Sequence, residues 1–241
     1  MCGRYSIYES MDHYLKQLSL DLVVINGYDH EPINRYNVAP STRVEVIRQV
    51  EDGLRIDRVK WGWAPFWAKG KRPDPINARA ETVVQGKFFK ALWPNGRALA
   101  PANGWFEWLP DADDPKRKQP YYITSADGEP LYFAALAEVH EGIQPDERDG
   151  FVIIIITAAA DEGLLDIHDR KPLVLLPEVA KEWIDPGTAP GRAEEIVSRG
   201  CRPASDFVWH PVSKAVGNVR NQGAQLIEAV GGTHPQDQLS F

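Results

Sequence analysis

Short apolar and aromatic runs, each bounded by turn-forming residues, constrain this chain more than any other feature. Residues 99–108, 121–124, 131–139, 151–157 and 173–176 are runs of this kind. Their length and their β-branched and aromatic content predict strands of an antiparallel or mixed sheet, with 151–157 as the central strand. Upstream, 44–50 reads as a further strand. Leu54, Ile56, Val59, Trp61 and Trp63 then alternate with polar residues as a half-buried strand, and the change of phase near Arg58 predicts a bulge.

Helical signals are fewer. Met11, Tyr14, Leu15 and Leu18 recur at helical spacing behind Ser10, a residue suited to an N-cap. The segment 65–75, rich in Pro, Gly and Lys, reads as an exposed loop leading into a helix over 79–92. Helices are also predicted over 177–183, 192–199 and 222–230, and 111–118 reads as a charged, Pro-containing insertion between strands. The expected class is therefore α+β, with a strongly bent antiparallel or mixed sheet, or a barrel-like core, flanked by helices. At 241 residues, with 43% hydrophobic side chains and eight Trp, the chain can bury one sizeable core. A single domain over 1–241 is predicted, with a loose tail from about residue 231.

The formal net charge of −7 argues against a protein that coats nucleic acid by bulk electrostatics. Charge is nevertheless uneven: Lys69, Lys71, Arg72, Arg79, Lys87 and Lys90 face only Asp74 and Glu81 in one stretch. A solvated loop and a phosphate-binding face both fit that pattern. No run reaches the apolar length of a membrane span, and the first residues lack the apolar core of a signal peptide, so a cytoplasmic protein is expected. Cys2 and Cys201 have neither metal-ligand spacing nor the numbers for a disulfide framework. With no GxGxxG, Walker A loop, HExxH or paired CxxC motif present, no cofactor and no metal are expected.

The unusual feature is Cys at position 2. Removal of Met1 would leave a cysteine whose free α-amine sits beside its thiol. An aldehyde condenses with such an amine to an imine, and the thiol then adds to the imine carbon and closes a five-membered thiazolidine. Reference values of about 8 for the amine and about 8.5 for the thiol make both nucleophiles accessible near neutrality. An incidental second-position Cys is the alternative.

The segments Met1-Cys2-Gly3-Arg4-Tyr5, Arg35-Tyr36-Asn37-Val38-Ala39-Pro40, Trp61-Gly62-Trp63, Asn77-Ala78-Arg79-Ala80-Glu81-Thr82 and Gly104-Trp105-Phe106-Glu107-Trp108 recur in order and spacing in one family. Ile167-His168-Asp169-Arg170 and His210-Pro211-Val212-Ser213 extend the match to nearly the whole chain. In these segments the chain resembles the SRAP (SOS-response-associated peptidase) family. The resemblance implies a bent sheet or barrel carrying a positively charged cleft for single-stranded DNA, and a stable crosslink to abasic sites, whose sugar opens to an aldehyde. It implies Cys2 as nucleophile, Asn77 as the residue positioning the Cys2 terminus, Glu107 as the group moving protons at the amine, and His168 as an aid to ring opening. A monomer that joins the nucleoid when bound to DNA is expected.

Each residue has a plainer reading. Asn77 would close a turn after Pro75, Glu107 would point to solvent, and His168 would be a structural hydrogen-bonding residue. For DNA contact the candidates are Arg4, Arg79 and Arg170 toward phosphate and Trp63, Trp67 and Trp105 toward bases, although most of the eight Trp are expected in the core. Arg35 fits either a phosphate contact or a loop near Cys2. The family pattern usually has Asp at the position of Asn103, Phe or Tyr at that of Trp105, and Met at that of Lys171, where a lysine offers a further phosphate contact. Competing functions are a thiol autopeptidase or N-terminal-nucleophile amidohydrolase built on Cys2, His168 and Asn77, and a purely non-covalent DNA-binding module.

Overall fold

Two sheets organise the chain in the computed structural model, which describes residues 2–65, 67, 68, 70, 71, 73–93, 95–139 and 151–231. The first half runs β1 (Tyr5–Ile7), α1 (Met11–Leu18), β2 (Arg35–Val38), β3 (Arg43–Val50), β4 (Gly53–Trp61), β5 (Asn77–Arg79), α2 (Ala80–Val83) and β6 (Arg97–Ala102). The second half runs β7 (Gly104–Pro110), β8 (Lys118–Ser125), β9 (Leu131–Val139), β10 (Phe151–Ala159), β11 (Arg170–Pro172) and β12 (Val174–Leu175). It ends with α3 (Pro177–Ile184), α4 (Pro190–Arg199) and β13 (Phe207–Pro211).

The predicted central strand is central. β10 pairs with β9 and β11 antiparallel and with β4 and β5 parallel. The path from β10 through β4, β3, β6 and β9 returns to β10, so these five strands close on themselves as a barrel, with β5 and β11 attached to β10 and β12 to β9. A second sheet has the order β13-β8-β7-β1-β2. Alternation along β7 aims Trp105 into the large core, with Tyr5, Trp61, Phe133 and Phe207, and aims Phe106 into a smaller cluster with Tyr122, Val212, Val216 and Leu226. The class is α+β with a strongly curled, mixed sheet, as the sequence predicts.

Several local expectations change. The run 99–108 is two strands, broken at Asn103. The Asn103 Oδ1 accepts from the Tyr8 N–H at 2.9 Å and the Tyr14 hydroxyl at 2.6 Å, which turns the chain from one sheet into the other. The helix over 79–92 shrinks to Ala80–Val83, because β10 offers ladder partners to residues 77–79 and the chain turns at Gly86. A helix over 222–230 is reduced to one turn at Ala224–Leu226, since Val212 bridges Ala229 and the Val230 N–H donates to the Pro211 carbonyl. No bulge occurs near Arg58: β3 and β4 pair without interruption from Arg43–Lys60 to Val50–Gly53. Ser10 precedes α1 but its hydroxyl makes no capping bond. Lys69, Arg72 and the tail beyond residue 231 lie outside the described residues.

Candidate functional site

The start of the chain lies along β7. Tyr5 pairs with Trp105, Ser6 with Gly104, and the Phe106 N–H donates to the Arg4 carbonyl, so continuing that register sets Gly3 opposite Glu107. Glu107 shares with Trp105 the face turned to the large core, where Cys2 is fully buried. A carboxyl 4% exposed in such a place resists ionisation, and burial raises Glu107 to about 8, with Asp169 adding to the effect. Burial first, and then the Glu107 charge, push the Cys2 thiol up. The positive charge at the amino terminus acts against both shifts.

His168 follows the 3-10 helix Glu162–Asp166 and is held by its N–H to the Leu164 carbonyl at 3.0 Å. Burial, and after it the amino-terminal charge, lower its pKa, while Asp169 opposes them. Its Nδ1 accepts the Arg170 backbone N–H at 3.0 Å. The neutral ring therefore carries its proton on Nε2 and is a donor there. The Asp169 carboxylate stands 2.9 Å from Nδ1 and meets it as an ion-pair partner once the ring is protonated. Cys2, Glu107 and His168 thus share one electrostatic environment around the start of the chain.

β10 brings in the other segments. Asn77 pairs with Ile155 and Arg79 with Thr157, while Ala159 pairs with Arg170. Asn77 donates through Nδ2 to the Ile155 carbonyl at 3.4 Å, and its buried Oδ1 has no hydrogen-bond partner among the described residues, which leaves an acceptor for an N–H group. Arg170 grips Glu81 with both terminal nitrogens, at 2.6 and 3.0 Å, and also donates to Thr157. Its charge is therefore spent within the protein, whereas Arg79 is exposed with no ion pair among the described residues.

Arg4 has a different environment. Its Nη1 donates to the Asn37 Oδ1 at 2.8 Å and to the Val216 carbonyl at 2.7 Å, and its guanidinium lies 5.5 Å from the centre of the Trp108 ring. All of these partners are neutral, so they leave the positive charge beside the start of the chain uncancelled. Asn37 carries the RYNVAP segment into the site, a role its spacing did not signal; the buried Nδ2 donates to the carbonyls of Val216, Asn218 and Asn221. Arg35 holds the Arg43 carbonyl, Thr42 and Glu45 and is structural.

The aromatic candidates divide. Trp63 and Trp105 are 3% and 1% exposed; Trp63 donates to Glu138 and Trp105 packs edge-on against Phe133 and Phe207, so neither offers a ring face to a base. Trp67 is 51% exposed, backed by Phe88 at 5.6 Å, with Lys71, Lys87 and Lys90 exposed on the same stretch of chain. The extra phosphate contact expected of Lys171 is also absent: its buried ammonium donates to Asp161 and to the Arg202 carbonyl at 2.7 Å.

Residues 1–219 match the model of the SOS response associated peptidase (SRAP) family. The chain belongs to that family. It is 48% identical to the abasic site processing protein YedK of Escherichia coli, over 95% of this chain and all of that one. It is 32% identical to the abasic site processing protein YoqW of Bacillus subtilis, with the same coverage of both chains. Among solved structures it is similar to a phage-related protein of Bordetella bronchiseptica, with a TM-score of 0.73 and 36% identity over 88% of this chain and 95% of that one. In this SRAP chain the segments carrying the resemblance lie on or beside β1, β2, β7 and β13 of one sheet and β4, β5 and the β10–β11 connection of the other.

Proposed function

We propose that this SRAP protein recognises abasic sites in single-stranded DNA and, once Met1 is removed, joins them covalently through Cys2. The supporting observation is the shared environment of Cys2, Glu107 and His168 at the start of the chain. Relatives matched over their full length are abasic site processing proteins. An opened abasic sugar presents an aldehyde carbon. The Cys2 amine attacks it and water leaves as the imine forms; the Cys2 sulfur then adds to that carbon, the thiol proton ends on nitrogen, and one water is lost overall.

Each neighbour has a task in that sequence. A carboxyl lifted to about 8 takes and returns protons near neutrality, so Glu107 relays them between thiol and amine. His168, neutral and carrying its proton on Nε2, donates to the ring oxygen as the sugar opens. The Asn77 Oδ1 accepts from the amine and aims its lone pair. Arg4 and Arg79 receive phosphates and Trp67 stacks on a base, contacts that carry no sequence information and so suit a lesion reader. A thiol peptidase is the poorer fit, because it opens on a thiolate and burial pushes this thiol up, whereas the imine sequence opens on the amine and lets Glu107 take the thiol proton afterwards.

The test is incubation with a single-stranded oligonucleotide carrying one abasic site, followed by denaturing electrophoresis. The protein should give a shifted band and Cys2→Ala none. An equal band from both would exclude the thiazolidine, and no band from either would leave reversible binding as the function.

A further inference from the structure

A cationic loop near the end of the described chain, tied to Arg4, has no role in the site as described. Residues 207–227 contain no Asp or Glu, in a chain that has 34 of them. Asp206, at one border, is held by Arg202 at 3.0 Å. Within the stretch Lys214 and Arg220 are exposed and have no ion pair among the described residues. Lys118 of β8 is exposed in the same way and its charge reaches His168, whereas the adjacent Arg117 is engaged with Asp111 and Asp114. The short turn Lys214–Gly217 packs against β8, and Gln119 ties that strand to the Val212 carbonyl at 2.9 Å.

This loop is held rigidly. Asn37 donates to three of its carbonyls, and the Gln222 side chain latches the open edge of β2 by accepting from the Tyr36 and Asn37 N–H groups and donating to the Asn37 carbonyl. Asn221 donates back to the Ala215 carbonyl and the Ser213 hydroxyl accepts from the Ala215 N–H. The Val216 carbonyl, shared with Arg4 at 2.7 Å, joins the loop to the start of the chain. At its tip Val219 is half exposed between Asn218 and Arg220. Unpaired cations on a held backbone, beside an apolar side chain, suit a flexible polyanion better than a folded acidic protein, since they meet alternating phosphates and sugars.

We propose that residues 213–222, with Lys118, form a second shelf on which Lys214 and Arg220 take the phosphates of the DNA strand continuing beyond the lesion. The identity of the ligand rests on the abasic-site reading. On that reading the strand enters over Trp67 and Arg79, presents its lesion at Cys2, and leaves past Arg4 along this loop.

The experiment measures equilibrium binding by fluorescence anisotropy in a Cys2→Ala background, so that no covalent step intervenes. The probes are single-stranded abasic oligonucleotides extended on the 5′ side, the 3′ side or both, and salt runs from about 50 to 200 mM. A Lys214→Glu, Arg220→Glu double variant is compared with a Lys16→Glu, Arg199→Glu control. The shelf predicts that the double variant, and not the control, loses about 1.4 from the salt slope, at about 0.7 per phosphate, and binds about tenfold or more weakly. The loss should appear for one direction of extension only. A Lys214→Gln, Arg220→Gln variant should lose at least half as much and exclude a folding defect, which melting curves check directly. Equal slopes for variant and control, or the same loss with both extensions, would overturn the proposal. If the protein carrying Cys2 forms no adduct yet the one-sided slope change appears, the shelf stands and the covalent reading falls; an adduct with unchanged slopes gives the reverse.

Discussion

Replacing Glu107 with Gln should make the fold more stable, and increasingly so as pH rises. The carboxyl is 4% exposed on the core face of β7, and burial lifts it from an ordinary 4.5 to about 8. In the unfolded chain it ionises near 4.5, so between that pH and 8 the folded state holds a proton the unfolded state has lost. A folded pKa above the unfolded one means stability that is full below about 4.5 and is lost as pH climbs through 8. At about 1.4 kcal/mol per pH unit, the whole interval corresponds to about 5 kcal/mol, and a neutral Gln does not incur it. Urea denaturation of both proteins at four values, about pH 5, 6, 7 and 8, measures this. The difference in unfolding free energy, Glu107→Gln minus the parent, should grow by about 1 kcal/mol or more with each unit, while crosslinking slows about 100-fold. Parallel stability curves across that range would refute the argument, because Glu107 would then ionise in the fold as it does in water.

Five further substitutions separate contacts from packing. Trp67→Ala should weaken single-stranded DNA binding by about 1 to 3 kcal/mol with an unchanged melting temperature, whereas Trp105→Ala should cost about 3 to 5 kcal/mol of stability; the reverse pattern would reinstate Trp105 as a stacking residue. Asn103 uses only its oxygen toward Tyr8 and Tyr14, so Asn103→Asp should melt close to the parent while Asn103→Ala costs about 1 to 3 kcal/mol in a denaturation titration. Lys171→Met should leave the salt dependence of DNA binding untouched, since its buried ammonium meets Asp161 and no solvent; a shallower slope would show that it reaches phosphate after all.

Period and composition disclosed the longer strands because each run satisfies its backbone in a ladder, and the apolar 151–157 run could be placed at the centre, whereas the short strands β1, β2, β5 and β13 are not among the runs they mark. They misjudged 79–92 and 222–230, where residues compatible with a helix are claimed by tertiary hydrogen bonds: β10 takes Asn77–Arg79, and Gln222 is spent on the edge of β2. The break at Asn103 was hidden because its cause is the distant hydroxyl of Tyr14. At the site, Cys2, Glu107 and His168 could be named from the chain, but their common electrostatic environment depends on the β1–β7 register and on the turn before β11. Tryptophan count could not tell exposed Trp67 from buried Trp63, four positions earlier, and no spacing rule marked Asn37, whose importance lies in a loop nearly two hundred residues away.

The central claim is that the reacting group is an aminothiol, and the most direct measurement is the intact mass of the product formed on an abasic oligonucleotide by two forms of the protein. One form begins at Cys2 and the other retains Met1. In the second the Cys2 nitrogen is an amide whose lone pair is delocalised into the carbonyl, so it neither attacks an aldehyde nor closes a ring. The form beginning at Cys2 should give a species equal in mass to protein plus oligonucleotide less one water, stable to denaturation, while the form retaining Met1 binds the DNA but yields no such species until specific proteolysis frees the terminus. An adduct of equal stability on protein whose Met1 is fully retained would contradict the account.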